Sequence, residues 1–526
     1  MVKKRKSAAL GLVLVLLVSL FTACSSGNKG ANGSTGSEGL GGSGNSANAS
    51  TDKGASSTDL KEVTLKIFLP GDDKVAKNDV LQALYEKTKD RLNAKFEINF
   101  IPFGDYQSKL TMLASSGDSY DAAFTADWFG YSQMVNKGAF LDLSELAPEH
   151  APNLYKIYSD KNMLSSASMN GKLMALPWTE IKTSKPVFQY RKDIAEKLNV
   201  EPGDLTTIEG VDMFLTAINK ANPGMPIFYQ NMNASEGSIG ALLAPKYEYV
   251  DLGFHSLYID LNDPAHKVMP IEQTPMFKEA VTIAKKWYDE GIISKNTLND
   301  KTNTPFENSN AFSQKNIIAT LFEEVNFTDK NAVNGAAEVY PGNKFIRDSQ
   351  MNNAIVINKN AANPERMLMF MDLLSTDREV YDLFFYGIKD KTYTMDENGV
   401  IGFVPGEDPS KPLWQNWFNW GFLREEFTRP TISRSEKAIQ ENREFVIRPN
   451  ILVSPTAGLV PITDNIKTEL SARDQLISEE GKLLLVGIIK GDVDQAINSY
   501  IEKQKAVGLD KILADVQKQV DDFMNK

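Results

Sequence analysis

One cysteine in 526 residues excludes a disulfide framework and any cysteine-rich metal site. Three histidines, His150, His255 and His266, leave little for imidazole ligands or His-based acid–base chemistry. Basic side chains number 57 against 68 acidic ones, a net charge of -11. That balance argues against nucleic acid as a partner, because a phosphate backbone needs a basic face. Beyond the N-terminus no long apolar run occurs, which excludes a polytopic membrane protein. HExxH, Walker A and GxGxxG patterns are absent, as is EF-hand spacing; Asp396-Glu397-Asn398-Gly399 reads as a hairpin turn. No cofactor, metal or catalytic residue is therefore expected. What is present is ordinary for a globular chain: 42% hydrophobic and 24% charged residues, with length for two domains.

The N-terminus is an address. Lys3, Lys4, Arg5 and Lys6 precede an apolar run from Ala8 to about Phe21. The run is too short to span a membrane and has the length of a signal-peptide core. It ends in Phe21-Thr22-Ala23-Cys24, with Ser25-Ser26-Gly27 beyond. This resembles a bacterial lipobox, with Phe21 where Leu is usual. The expected chemistry is cleavage of residues 1–23 and a diacylglyceryl thioether on Cys24, an anchor to the outer face of the cell membrane. Residues 24–60 then form a tether. Of the 35 residues from 25 to 59, 29 are Ser, Gly, Asn, Ala or Thr. As a flexible coil such a segment spans roughly 30–35 Å.

From residue 61 the pattern is α/β. Residues 62–69 alternate as a strand and end at Pro70-Gly71-Asp72-Asp73. Asn78 is placed to cap a helix with Val80, Leu81, Leu84, Tyr85 and Leu92 on one stripe. A strand over 95–102, a helix over 106–115 and a strand over 120–125 follow. The order β-α-β-α-β predicts a largely parallel sheet, with ligand at its carboxyl ends. Further strands are predicted over 171–177, 186–190 and 353–357, and helices over 275–288, 364–374 and 509–524.

Aromatics are the unusual feature. Trp414, Trp417 and Trp420 recur every third residue, and Trp128 and Trp178 each follow an apolar strand. Indole faces stack on the apolar faces of sugar rings, while carboxylates and amides bind the hydroxyls. Trp287, inside an amphipathic helix, reads as core instead.

The chain resembles an extracellular solute-binding protein of family 1, the carbohydrate ABC importer receptors, and within it an LplA/YtcQ-like lipoprotein. The residues that carry this are Gly104-Asp105-Tyr106, 116–125 (SGDSYDAAFT), 137–143 (KGAFLDL), 170–177 (NGKLMALP), Tyr190-Arg191-Lys192-Asp193, 387–393 (GIKDKTY), 506–511 (AVGLDK) and Gln517-Lys518-Gln519. The resemblance implies a two-lobe periplasmic-binding-protein-like fold (type II) with crossing hinge strands. Lobe 1 would comprise 61–143 and 343–388, and lobe 2 would comprise 144–342 and 389–526. Sugar would lie in the cleft, held by Asp72, Asp127 and Trp128 from lobe 1 and by Trp178, Glu180, Glu323, Trp417 and Trp420 from lobe 2. Asp193 reads as a helix cap. The partners implied are a carbohydrate, ABC permease subunits and the membrane, with the receptor itself a monomer and not an enzyme. Two other readings stay open at this point: a surface glycoside hydrolase, and the same receptor with a peptide ligand.

Overall fold

A computed structural model describes residues 60–525, except 170, 182–184, 231–235, 253, 300–305, 309–310, 318–324, 326, 348–350, 352, 416 and 460. The side chains of 316, 317 and 417–419 also lie outside the description, as do residues 1–59, which hold the expected signal sequence, Cys24 and nearly all of the expected tether. The described residues belong to one compact unit.

The N-terminal alternation folds as β1 (Val63–Pro70), α1 (Lys77–Leu92), β2 (Ala94–Ile101), α2 (Phe103–Ser116) and β3 (Ala122–Thr125). β1 pairs in parallel with both β2 and β3. Inward residues Leu65, Ile67 and Leu69 of β1 are fully buried, as the period of two requires. Helix α1 buries Val80, Leu84 and Leu92, but it begins one residue before Asn78 and is preceded by Ala76 without a side-chain cap. Its stop is the left-handed Asn93, which tolerates that conformation better than most residues.

Two short strands complete this sheet. The segment 171–177 is not one strand: Lys172–Leu173 belongs to a small hairpin, and β4 (Leu176–Pro177) joins the main sheet. β5 (Ala354–Ile357) lies between β3 and β4, antiparallel to both. The order is β2-β1-β3-β5-β4. The helix Pro364–Thr376, with proline in its first turn, covers it.

A second sheet has the strands 334–338, 186–191, 313–317 and 228–229 in that order. Helices Ile208–Ala221 and Pro275–Glu290 supply its core, with Trp287 fully buried. A third apolar cluster joins strands 249–251 and 257–260 to helices 467–476 and 509–524. Leu509, Ile512, Val516 and Val520 of the last helix are buried as their spacing predicts.

The change of core shows where the chain crosses. Buried side chains up to Ile181 belong to the first core, and Phe188 opens the second. The chain returns between Val339 and Phe345 and leaves again after Val446. These positions differ from the expected borders at 143/144 and 388/389. The apolar residues of 147–181, together with Trp414, Phe422 and Phe445, pack on the first sheet and not the second. At the crossing, Phe345–Arg347 and Ile451–Val453 pair in parallel. Lys185, fully buried there, bonds Glu441 at 3.1 Å and lies 3.8 Å from Glu338. Glu338 also binds Arg448 at 2.9 Å.

Candidate functional site

The edge of the first sheet nearest the crossing is built by strand direction. β1, β3 and β4 end there, and antiparallel β5 begins there. Three loops therefore meet: 70–73, 126–128 and 178–180. Two backbone bonds tie the last two loops to the start of β5, from the Asp127 amide to the Met351 carbonyl at 2.9 Å and from the Trp178 amide to the Asn353 carbonyl at 3.1 Å. A 3-10 helix, Trp417–Phe422, lies across the same edge and packs on β1, β3, β4 and β5.

This places six predicted site residues along one edge. Trp128 is 47% exposed and stacks on Phe129, with ring centroids 4.4 Å apart. Phe103 stands 6.1 Å from Trp128 and is also exposed, so the two widen one aromatic surface. Asp127 is exposed, and its carboxylate accepts from the Trp128 amide at 2.7 Å. Trp178 is buried to 5% exposure and faces the half-buried Trp420 across 6.5 Å. Glu180 is 6% exposed and ion-paired with Arg434 at 2.8 Å. Its negative charge is thus matched within the protein. Asp72 sits exposed on the loop after β1. Glu323 and the Trp417 side chain lie outside the described residues. Trp414 belongs elsewhere: it is buried, and its Nε1 donates to the Phe384 carbonyl at 2.9 Å.

The Trp178 loop has a polar foundation. Thr179 donates its amide to the Leu423 carbonyl at 3.1 Å and its hydroxyl to Glu426 at 2.7 Å, and it accepts from the Glu425 amide at 2.8 Å. Lys161 bridges Glu425 at 2.5 Å and Glu426 at 2.7 Å, and donates to the Thr179 carbonyl. Burial raises the Glu426 carboxyl, but Lys161 outweighs it and holds the group below the usual carboxylate range. The indole is therefore mounted on a charged, fully bonded layer.

Across the crossing, the second sheet offers polar groups. Gln230 follows strand 228–229 and donates Nε2 to the Leu485 carbonyl at 2.7 Å. Gly237 lies against it: a Cβ there would come within 2.8 Å of that amide, and its φ is +66°. Glu236 accepts from the Tyr258 hydroxyl at 3.2 Å. Burial pushes the Lys315 ammonium below the usual lysine range, against the opposing pull of Glu236. None of these was singled out from sequence, because isolated polar residues carry no spacing signal. Asp193 proves not to cap its helix; it holds Arg191 at 2.7 Å and the Val333 amide at 3.0 Å. Asp396–Gly399 is the expected hairpin turn, with the Asp396 carboxylate accepting from the Asn398 and Val400 amides. No group of potential metal ligands and no membrane-spanning helix occurs among the described residues.

Two sheets with crossing strands and an aromatic edge at the crossing define a two-lobed solute receptor. The model of the bacterial extracellular solute-binding proteins matches residues 72–380, more than half of the chain, and the chain belongs to that family. Residues 455–525 match a domain of unknown function, DUF3502. A carbohydrate ABC transporter substrate-binding protein of Streptococcus pneumoniae serotype 4 is 26% identical over 485 residues, 90% of this chain and 93% of that one. Lipoprotein LipO of Bacillus subtilis strain 168 is 22% identical, covering 86% of this chain and 92% of its own. Among solved structures, the N-glycan transport solute-binding protein NgtS of Streptococcus pneumoniae superposes with a TM-score of 0.74 at 23% identity, over 89% of this chain and all of that one. The fold is thus the type II two-lobed arrangement expected. The chain is an extracellular binding protein and not an enzyme, and the hydrolase reading falls with that.

Proposed function

We propose that this receptor captures an oligosaccharide between its lobes and delivers it to an ABC permease. The carrying observation is the aromatic edge itself: exposed Trp128 beside Phe103, with the Trp178–Trp420 pair on the same sheet edge, at the crossing between cores. Asp72, Asp127 and Glu323 would bind hydroxyls, and Trp417 would add to the stacking surface. Glu180, neutralised by Arg434, would act by fixing the Trp178 loop. The carbohydrate transporter relative supports the ligand class, and the NgtS structures with Man1GlcNAc and Man5GlcNAc support an oligosaccharide. Contacts made by both lobes exist only when they close, so ligand shifts the open–closed balance by its differential affinity. The receptor works as a monomer, held outside the cell by lipid on Cys24, a reading supported by the relative named a lipoprotein.

Calorimetric titration of the mature chain with Man1GlcNAc, Man5GlcNAc, kestose and a peptide library tests the ligand class. Saturable binding of intact oligosaccharide is expected, and binding of peptides alone would overturn the reading. Trp128→Ala should weaken sugar binding by about 1–3 kcal/mol with the fold intact, by analogy with other aromatic platforms. In cells, Cys24→Ser should abolish incorporation of labelled palmitate and release the protein to the medium.

A further inference from the structure

Asn353 is an amide buried in the aromatic edge, and its side-chain oxygen lacks the partner that burial demands. It is 3% exposed, and its Oδ1 is sealed from solvent with no donor from the protein. Buried polar atoms are nearly always bonded, and an exception calls for a cause. Leaving such an oxygen unmet costs the fold its desolvation.

Strand geometry gives the side chain its neighbours. β5 pairs Ile355 with Leu176 of β4 and with Phe124 of β3, so these three share a face. Two residues back, Asn353 falls on that face, opposite Trp178, whose amide it binds at 3.1 Å. The 3-10 helix covers the same side: a Cβ on Gly421 would lie 2.7 Å from Ile355 Cδ1. Trp420, one residue before, meets Trp178. A carboxamide with an unsatisfied oxygen thus shares a sheet face with Trp178, on the side covered by the helix that carries Trp420. An amide oxygen accepts from a hydroxyl, and its two N–H groups donate to one.

We propose that Asn353 is a ligand-binding residue, its carboxamide reserved for a hydroxyl of an uncharged sugar ring laid against Trp178 and Trp420. This rests on the oligosaccharide reading and deepens it by naming the polar anchor of that aromatic subsite. A residue kept for ligand at the expense of the fold has a signature that a structural residue lacks. Removing its polar group weakens binding without weakening the empty protein.

The test compares wild type, Asn353→Leu and Asn353→Ala as full mature chains. Apo melting midpoints are read first, then affinity for Man1GlcNAc and kestose by calorimetry. The expected result is an Asn353→Leu midpoint equal to or above wild type, with affinity reduced on the order of ten-fold or more. Asn353→Ala should lose affinity equally, and it serves if leucine proves too large. Loss of several degrees in both apo variants would make Asn353 structural and overturn the proposal. So would unchanged affinity in a variant that keeps its midpoint. If wild type binds neither sugar, the oligosaccharide reading fails separately, and the apo midpoints still decide whether Asn353 is held against the fold's interest.

Discussion

The two lobes put the same side chain to opposite uses. In the second, Trp287 sits wholly inside the core, its Nε1 donating to Asp212 at 2.7 Å and its ring 4.9 Å from Phe228. In the first, Trp128, Trp178 and Trp420 stand beyond the last strand residues, on loops and a 3-10 helix that cross the sheet's edge. Beneath Trp178 is not a core but the bonded layer of Lys161, Thr179, Glu425 and Glu426. An indole in a core is held by apolar neighbours on every side. At the edge the exposure is graded instead: Trp128 is open, Trp420 half-buried and Trp178 nearly closed over its polar mount. Place in the chain relative to a strand end, rather than residue type, separates the two.

The strongest way to break this contrast is to truncate both kinds. Trp287→Ala removes a fully buried ring from helix Pro275–Glu290 and should cost about 3–5 kcal/mol of stability. Any effect on sugar binding should track the unfolded fraction. Chemical denaturation with a constant m-value checks this. A cost below about 1 kcal/mol would mean that Trp287 is not the keystone its burial implies.

Alkaline pH should load both cores next. The first core holds Tyr106, Tyr120, Tyr131 and Tyr158, and burial raises all four hydroxyls above the usual tyrosine range. Beside it, burial pushes Tyr386 to about 12. A raised folded pKa gives stability that is complete below the unfolded value near 10 and is lost as pH climbs toward the folded one. Each such tyrosine contributes about 1.4 kcal/mol per pH unit within its window. Lys315 in the second lobe works with the opposite sign. Burial lowers its folded pKa, so its penalty is relieved as pH rises from that value toward about 10.4. Burial also raises Tyr190, Tyr247, Tyr249, Tyr340 and Tyr500 in the second lobe, which outnumber that one lysine. Both lobes should therefore lose hydrogen-exchange protection above pH 10, and full protection kept in either would refute the assignment of these groups.

Much of this architecture was legible. The alternation in 62–69 and the apolar stripe of 509–524 fixed a strand and a helix, because local periodicity and burial agree there. The lobe borders were not legible. Residues 147–181 and 414–446 carry no signal of which sheet they will meet; that depends on long-range packing. At the site, Trp128 and Trp178 were visible as indoles following apolar strands. The difference between Trp414 and Trp420, six positions apart, was not, since a run of every-third aromatics has no preferred face in a segment that is only briefly helical. Asn353 was invisible for another reason. An asparagine before a strand is ordinary, and only its missing partner marks it.

The smallest change tests the seating of the 3-10 helix on the first sheet. Gly421 approaches β5 so closely that a Cβ would lie 2.7 Å from Ile355 Cδ1 and 3.0 Å from the Ala354 carbonyl oxygen. The isoleucine methyl can turn aside, but the carbonyl belongs to the sheet and cannot. Gly421→Ala should therefore lift the helix by a few tenths of an ångström at a cost of about 1–2 kcal/mol. Trp420 is the neighbouring residue, so its distance from Trp178 should grow and sugar affinity should fall a few-fold. The second lobe should keep its hydrogen-exchange protection. Wild-type stability together with wild-type affinity in this variant would show that the helix is not seated on β5, and the aromatic edge would lose its support.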